Sequence, residues 1–239
     1  LNYLAGRSFG EVCRIARDAV KAAHISGGVP NIGVSVPRRD EEGFAALVAL
    51  LAGQLRRLFP SGFSGSALVV GLGNYDITAD SIGPKAVEKV VVTRHLRTLN
   101  PQLYKSAGFG DLCAFAPGVL GQTGMESAEI VHSIVEAVRP ALIVAIDALA
   151  SRRLARLATT VQLCDTGIYP GAGVSNRRSE LSKETLGVPV ISIGVPTVVD
   201  AATLAYDLLG KDADEQAAAA LLAGDGKDMF VTLKESDVI

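Results

Sequence analysis

Residues 67–84 read ALVVGLGNYDITADSIGP, and the rest of the chain is organised around them. Leu68, Val69, Val70 and Leu72 follow one another without polar alternation, so this segment reads as a strand covered on both faces, as in a parallel sheet layered with helices. The run then breaks into a glycine-punctuated loop that carries Asn74, Asp76 and Asp80. A buried parallel strand delivers chemistry in this way at its C-terminal end. The device returns at residues 141–149, ALIVAIDAL, an apolar run whose one charged residue is Asp147. A carboxylate in such a run costs free energy unless it is paired, hydrogen-bonded or set at the sheet rim. If the two strands are neighbours, Asp80 and Asp147 share one crevice.

Outward from these two strands, helical and strand patterns alternate. Towards the N-terminus, residues 8–24 carry a helical stripe with Ser8 and Glu11 as a capping box, residues 31–36 a short strand, and residues 41–59 an amphipathic helix. After Asp80 a helix is expected over 82–99, with Pro84 in its first turn and Asn100-Pro101 as its stop. A strand at 112–115 then leads through the glycine-rich stretch 117–124 into a helix over 126–138. Beyond Asp147 the patterns give a helix or turn at 150–157, a strand at 159–164 ending on Asp165, and a Gly-rich loop at 166–178. A buried strand follows at 188–195, broken by Pro196, then helices at 198–209 and 213–223 and a strand-like start to the tail at Met229.

The alternation predicts an α/β fold over residues 1–239: one domain with a doubly wound, mostly parallel sheet flanked by helices, a phosphorylase/hydrolase-like three-layer sandwich. In such a sheet the site lies outside the C-terminal strand edge. Asp80, the loop from Gly118 to Gly124, Asp147 and Asp165 are all expected there.

Composition narrows the function classes. The apolar share of 49% suits a sheet covered on both sides, while the absence of Trp speaks against an aromatic stacking platform for single strands. The net charge is −2 and basic residues are scattered apart from pairs such as Arg56-Arg57, Arg152-Arg153 and Arg177-Arg178, so direct nucleic-acid binding is not expected. Cys13, Cys113 and Cys164 lie far apart without CxxC spacing, which argues against a zinc knuckle or a disulfide framework and for a reducing compartment. No apolar run reaches the roughly 18 residues that span a bilayer, so a soluble cytoplasmic protein with no membrane partner is expected.

Several chemistries fail on residue types. After Gly71 and Gly73 the third glycine of GxGxxG falls at Asp76, which would repel a pyrophosphate, and neither GxxxxGK[ST] nor GxSxG occurs. His24, His95 and His132 each fall in a helical pattern, as surface or satisfied core histidines. What remains are the carboxylates. Two aspartates in one crevice can share a proton and activate water, one as base and the other as acid. The same pair could instead hold a divalent metal that activates water, and Asp147 alone could simply cap a turn. The glycine loop is open in the same way: its N–H groups, with Gly121, Thr123 and Gly124 as candidates, could hold the oxyanion, or it could be a plain crossover. Asn74 and Asp165 are candidates to line the site.

At the level of whole segments the sequence resembles the germination proteases of spore-forming bacteria. The segments are VVGLGN at 69–74, TAD and IGP at 78–84, VVTRHL at 91–96, APGVLGQTGMESAEIVH at 116–132, AIDALASR at 145–152, DTGIYPGAGVSNRR at 165–178 and ETLGVPVISIGVPTVVDA at 184–201. The resemblance implies an endopeptidase that digests the small acid-soluble proteins coating spore DNA, made as a zymogen, assembled as a homotetramer and acting in the spore core without a cofactor. It implies that the catalytic aspartates are Asp80 and Asp147. The fold it implies is similar to that of hydrogenase maturation proteases, which use acidic residues at the two corresponding points to bind nickel; by that kinship Asp80 and Asp147 would hold a divalent metal. A non-catalytic sporulation protein on the same scaffold is the remaining alternative.

The chain departs from the family pattern in three places. Residues 1–65 diverge and contain no TDLA-like processing sequence, which a chain opening on Leu1 after processing would lack. Tyr169 stands where the family turn has His. The tail MFVTLKESDVI stops without a closing helix, so the natural chain is expected to continue.

Overall fold

The apolar runs form the strands that their composition dictates. In a computed structural model, which describes residues 32–35, 41–170, 179–201, 203, 204, 207 and 230–232, they join in a seven-stranded sheet. Its strands are β1 (Ile32–Ser35), β2 (Ser66–Gly71), β3 (Asp111–Phe115), β4 (Leu142–Ser151), β5 (Thr160–Cys164), β6 (Val190–Asp200) and β7 (Phe230–Thr232). The order is β1-β5-β6-β4-β2-β3, with β7 pairing the far end of β6. β3, β2, β4 and β6 are mutually parallel. β5 and β7 run antiparallel to β6, and β1 antiparallel to β5, so five strands point one way and two the other. The sheet is mostly parallel, as expected.

The helices are α1 (Glu41–Leu58), α2 (Ile82–Glu88), α3 (Leu96–Leu99), α4 (Pro101–Ser106), α5 (Leu120–Thr123), α6 (Ser127–Val138) and α7 (Lys183–Leu186). Alternate side chains of the strands face different layers. Leu68, Val70, Leu72, Ile143 and Ala145 meet Val131 and Val135 of α6 on one side. Val69, Leu142, Val144 and Ile191 meet Leu55 and Leu58 of α1 and Val87 of α2 on the other. Each fully buried Leu, Ile or Val contributes about 1.5–3 kcal/mol relative to exposure, so the sheet has a driving force on both faces. None of the described helices is long and apolar enough to cross a membrane.

Four local expectations are corrected. The helix expected over 82–99 ends at Glu88. The β-branched run Val90-Val91-Val92 is a poor helix former, and the segment is drawn onto the start of β3, where the Thr93 and Arg94 N–H groups donate to the Leu112 carbonyl at 2.9 and 3.0 Å. Asn100 does more than stop a helix: it caps α4, its Oδ1 accepting from the Leu103 N–H at 3.1 Å, with Pro101 at the first helical position. β4 continues to Ser151 before a short 3₁₀ turn at Leu154–Arg156. β6 passes straight through Pro196 to Asp200, so strand replaces the first residues of the expected 198–209 helix. Pro196 is tolerated because the register slips there: Leu149 pairs with Pro196 and Ala150 with Val198, leaving Thr197 as the extra residue of a bulge. The helices expected at 8–24 and 213–223, and residues 171–178 of the expected loop with both of its arginines, lie outside the described residues.

Candidate active site

The end of β2 is fixed by backbone. The Leu72 N–H donates to the Ile146 carbonyl at 2.8 Å, tying the chain just past β2 to β4 one residue before Asp147. Gly83 of α2 closes over the same junction so tightly that a Cβ there would stand 2.2 Å from the Leu72 oxygen and 2.6 Å from the Ile146 oxygen. At Gly73, with φ +113°, a Cβ would stand 2.0 Å from the Asp80 carbonyl oxygen and 2.9 Å from its Oδ1. Glycine is required there both by the dihedral and by the approach of the Asp80 turn. The Asn74 N–H donates to Asp80 Oδ2 at 2.7 Å. A charge-assisted bond of this kind holds the half-buried carboxylate on the loop that follows β2.

Asp80 closes a short 3₁₀ turn, Thr78–Asp80, secured from two sides. The buried Ser81 hydroxyl donates to the Thr78 carbonyl at 3.0 Å. From β6, the buried Thr197 hydroxyl donates to the Ala79 carbonyl at 2.6 Å. The bulge at Pro196-Thr197 therefore has a use: it aims a strand hydroxyl at the turn that carries Asp80.

Asp147 is only 3% exposed. It lies within β4 opposite Gly194 of β6, and its Oδ1 accepts from the Ala148 N–H at 2.9 Å. By strand parity it shares the α6-facing side with Ala145 and Leu149. The ALIVAIDAL run is expected to end on this carboxylate; instead β4 continues beside β6 to Ser151, so Asp147 is a buried carboxylate inside a strand, with a local backbone donor that lowers the cost of its burial. Asp80 therefore lies on the loop beyond the C-terminal end of β2, and Asp147 in β4 one residue past the last β2–β4 pair, Gly71 with Ile146.

The glycine loop is corrected in part. Leu120–Thr123 closes its own helical turn as α5: the Gln122 and Thr123 N–H groups donate to Val119 O at 2.9 and 3.1 Å, and the Gly124 N–H to Leu120 O at 2.8 Å. The Thr123 hydroxyl donates to the Val119 and Met125 carbonyls and accepts from the Met125 N–H. Thr123 and Gly124 are therefore spent within the loop and are not oxyanion donors. Gly121, in the same turn, has open space where a Cβ would stand. The helix after it begins at Ser127, with Glu126 and Glu129 forming a reciprocal capping box.

Asp165 is corrected as well. β5 runs against β6, and Cys164 pairs with Ser192 near the start of β6, so Asp165 leaves the sheet towards the edge opposite Asp147. It is exposed there. Tyr169 is exposed next to the bridge between Ile168 and Leu181, and a hydrogen bond to Glu180 pushes its phenol up from the usual value. His95 is exposed, and His132 lies exposed on α6 with Nδ1 3.7 Å from Glu136 Oε1. Cys113, half-buried in β3, has its thiol pushed up by burial.

The family profile described as germination protease matches residues 35–213. The chain belongs to the germination protease family. It is 55% identical over 150 residues to the germination protease of Clostridium perfringens (strain SM101 / Type A), covering 63% of this chain and 46% of that protein. To the germination protease of Clostridium tetani it is 50% identical over 188 residues, 79% of this chain and 57% of the other. With that of Bacillus subtilis (strain 168) it shares 55% over 142 residues, 59% and 38% respectively. The chain spans about half the length of the curated relatives that it matches. Among solved structures, a [NiFe] hydrogenase maturation protease from Thermococcus kodakarensis KOD1 is similar at 20% identity and a TM-score of 0.40, over 60% of this chain and 80% of that one.

Two residues around this junction escape a reading of the sequence alone. Thr197 is one, although a proline inside a β-branched run is the signature of a bulge and the residue beside it is the natural one to be re-aimed. Gln122 is the other: its side chain crosses from α5 to the loop after β2, donating to Asn74 Oδ1 at 2.8 Å and lying 3.4 Å from Asp76 Oδ2. Nothing in its spacing marks it, because the contact joins positions 48 residues apart.

Proposed function

We propose that the chain is the peptidase portion of a germination protease, an endopeptidase that cleaves the small acid-soluble proteins coating spore DNA, with Asp80 and Asp147 activating the attacking water. The observation that carries this reading is the Leu72 to Ile146 hydrogen bond, which joins the strand end bearing the Asp80 loop to the strand that continues into Asp147. In this reading the two carboxylates share one proton, because two carboxylates close enough to act on one water cannot both ionise cheaply. The ionised member takes a proton from water as it attacks the scissile carbonyl. The protonated member donates to the carbonyl oxygen and then supplies the proton for the leaving amine. This role of the shared proton replaces the oxyanion contact that Thr123 and Gly124 cannot make.

The family expectations of a zymogen, a homotetramer and a cytoplasmic site of action in the spore core go with this reading. The test is cleavage of a small acid-soluble spore protein by the full-length enzyme. Asp80→Asn and Asp147→Asn are each expected to lower kcat by about a thousandfold or more, as members of a unit do, with the melting temperature retained. Near-normal cleavage by either variant would overturn the dyad. Exhaustive chelation is expected to leave the wild-type rate unchanged. Activity lost on chelation and restored by one divalent ion would replace the shared proton with metal-activated water held by the same two aspartates.

A further inference from the structure

We infer that Gln122 is a positioning residue, which sets the Asp80 carboxylate through Asn74 by tying the loop after β3 to the loop after β2. The inference rests on the reading of Asp80 given above. Asn74 is the hub of four bonds, one of them from the Ile77 N–H to its carbonyl at 3.3 Å. Its N–H donates to Asp80 Oδ2 at 2.7 Å, and its Oδ1 accepts from the Asp76 N–H at 2.9 Å and from Gln122 Nε2 at 2.8 Å.

The chemistry of these partners fixes every orientation. A backbone N–H can only donate, so the Asn74 atom facing Asp76 is its oxygen. An oxygen only accepts, so the Gln122 atom facing it is the amide nitrogen, and the second acceptor within its reach, Asp76 Oδ2 at 3.4 Å, demands the same. The other end of the amide is turned back on its own loop: Gln122 Oε1 lies 3.3 Å from where a Cβ on Gly118 would stand, and Gly118 adopts φ +75°. A side chain at position 118 would push against the Gln122 amide at that place.

With both lone-pair directions of Asn74 Oδ1 occupied, its side chain has one arrangement, and together with the turn closed by the Ile77 N–H on the Asn74 carbonyl this holds the peptide that presents its N–H to Asp80. Among the described residues, the Gln122 amide makes the side-chain hydrogen bonds that join α5 to this loop. Without it the loop keeps its internal Asx turn and the Ile77 to Asn74 backbone bond but loses its anchor to the neighbouring crossover. The Asp80 carboxylate then samples positions that are unproductive for water activation. Small misplacements of a reacting group act on kcat, whereas Gln122 itself touches no reacting atom.

The experiment compares full-length Gln122→Ala, Gln122→Glu and Asn74→Ala, alone and with Gln122→Ala and Asn74→Ala combined, with Asp80→Asn as reference and a small acid-soluble spore protein as substrate. Loss of one such bond corresponds to roughly a three- to tenfold fall in kcat, expected for Gln122→Ala with KM within about twofold. Gln122→Glu, the same shape with an acceptor for a donor, is expected to fall further, because it faces Asn74 Oδ1 and the Asp76 carboxylate. In the Asn74→Ala background, Gln122→Ala is expected to cost no more than about twofold, because both act through one contact. The inference is overturned if both Gln122 variants keep kcat within twofold of wild type, or if the costs of Gln122→Ala and Asn74→Ala multiply in full; either result leaves Asp80 and Asp147 standing so long as Asp80→Asn is inactive. Should Asp80→Asn cleave normally, the assignment of Asp80 falls and this inference with it.

Discussion

A Cβ added at Gly73 would stand 2.0 Å from the Asp80 carbonyl oxygen, and one at Gly71 would stand 2.2 Å from that of Gly83. At Gly121 or Gly124, in the next crossover along, an added Cβ would meet nothing within 4 Å. Both loops leave the same sheet edge, and both look alike in the sequence as apolar residues punctuated by glycine. In the first, glycine lets three pieces of backbone touch, so that the end of β2, the Asp80 turn and α2 form one solid junction. In the second, glycine supplies the left-handed φ of +71° at Gly124 that ends a short helical turn. Richness in glycine is therefore not a sign of a binding loop; the sign is glycine with no room for anything else.

The largest effect expected from this contrast is at Gly73. Gly73→Ala must either move the Asp80 turn or force alanine into a φ of +113° that L residues rarely adopt. Overpacking of this kind costs about 1–3 kcal/mol, and here the atoms displaced include the Asp80 carboxylate itself. Cleavage by Gly73→Ala is expected to fall about a hundredfold or more, since misplacement by an ångström can cost that much. Thermal melting alongside the cleavage assay separates misplacement from unfolding. A Gly73→Ala enzyme with normal kcat would show that the junction yields, and the two loops would not differ as described.

The second largest is at Thr197, which supports the same junction from β6. Thr197→Val keeps the shape but removes the donor to the Ala79 carbonyl, leaving a buried oxygen unpaired at a cost of about 1–3 kcal/mol. The denaturation midpoint is expected to fall accordingly, with kcat reduced more than KM is raised, because the turn that loses its anchor carries Asp80. Unchanged stability would mean that the Ala79 carbonyl finds another partner.

These two positions also mark how far the sequence could be read. The strand before the Asp80 loop and the strand that holds Asp147 are legible because burial on both faces leaves continuous apolar runs, whereas the continuation of β4 past Asp147 to Ser151 is set by its pairing with β6. The position of Asp165 is not legible because its strand reads the same in either direction: residue pattern reports burial and period, whereas the direction of β5 is set by its pairing with β6. Residues 82–99 read as one helix because helical spacing persists through Val90-Val91-Val92, while a tertiary contact, Thr93 on Leu112, decides the break. The tie from Gln122 to Asn74 was invisible for the same reason that makes it informative: it joins residues 48 apart, and local pattern carries no register between loops.

The smallest expected effect, and the one that sharpens the comparison most, is at Gly121. It lies inside α5, where alanine is the better helix former by roughly 0.5–1 kcal/mol in a helix interior and by less in a turn this short. Nothing stands within 4 Å of the new methyl group. The neighbouring N–H groups of Gln122, Thr123 and Gly124 are already committed to Val119 and Leu120, so the substitution removes no donor from them. Gly121→Ala is therefore expected to melt at or slightly above the wild-type temperature and to cleave within about twofold of its rate, since surface substitutions that touch nothing stay within about 0.5 kcal/mol. A tenfold fall in kcat with KM unchanged would mean that substrate backbone comes closer to this turn than a methyl group allows. The loop after β3 would then use glycine as the loop after β2 does, for close approach, with the substrate as the approaching chain.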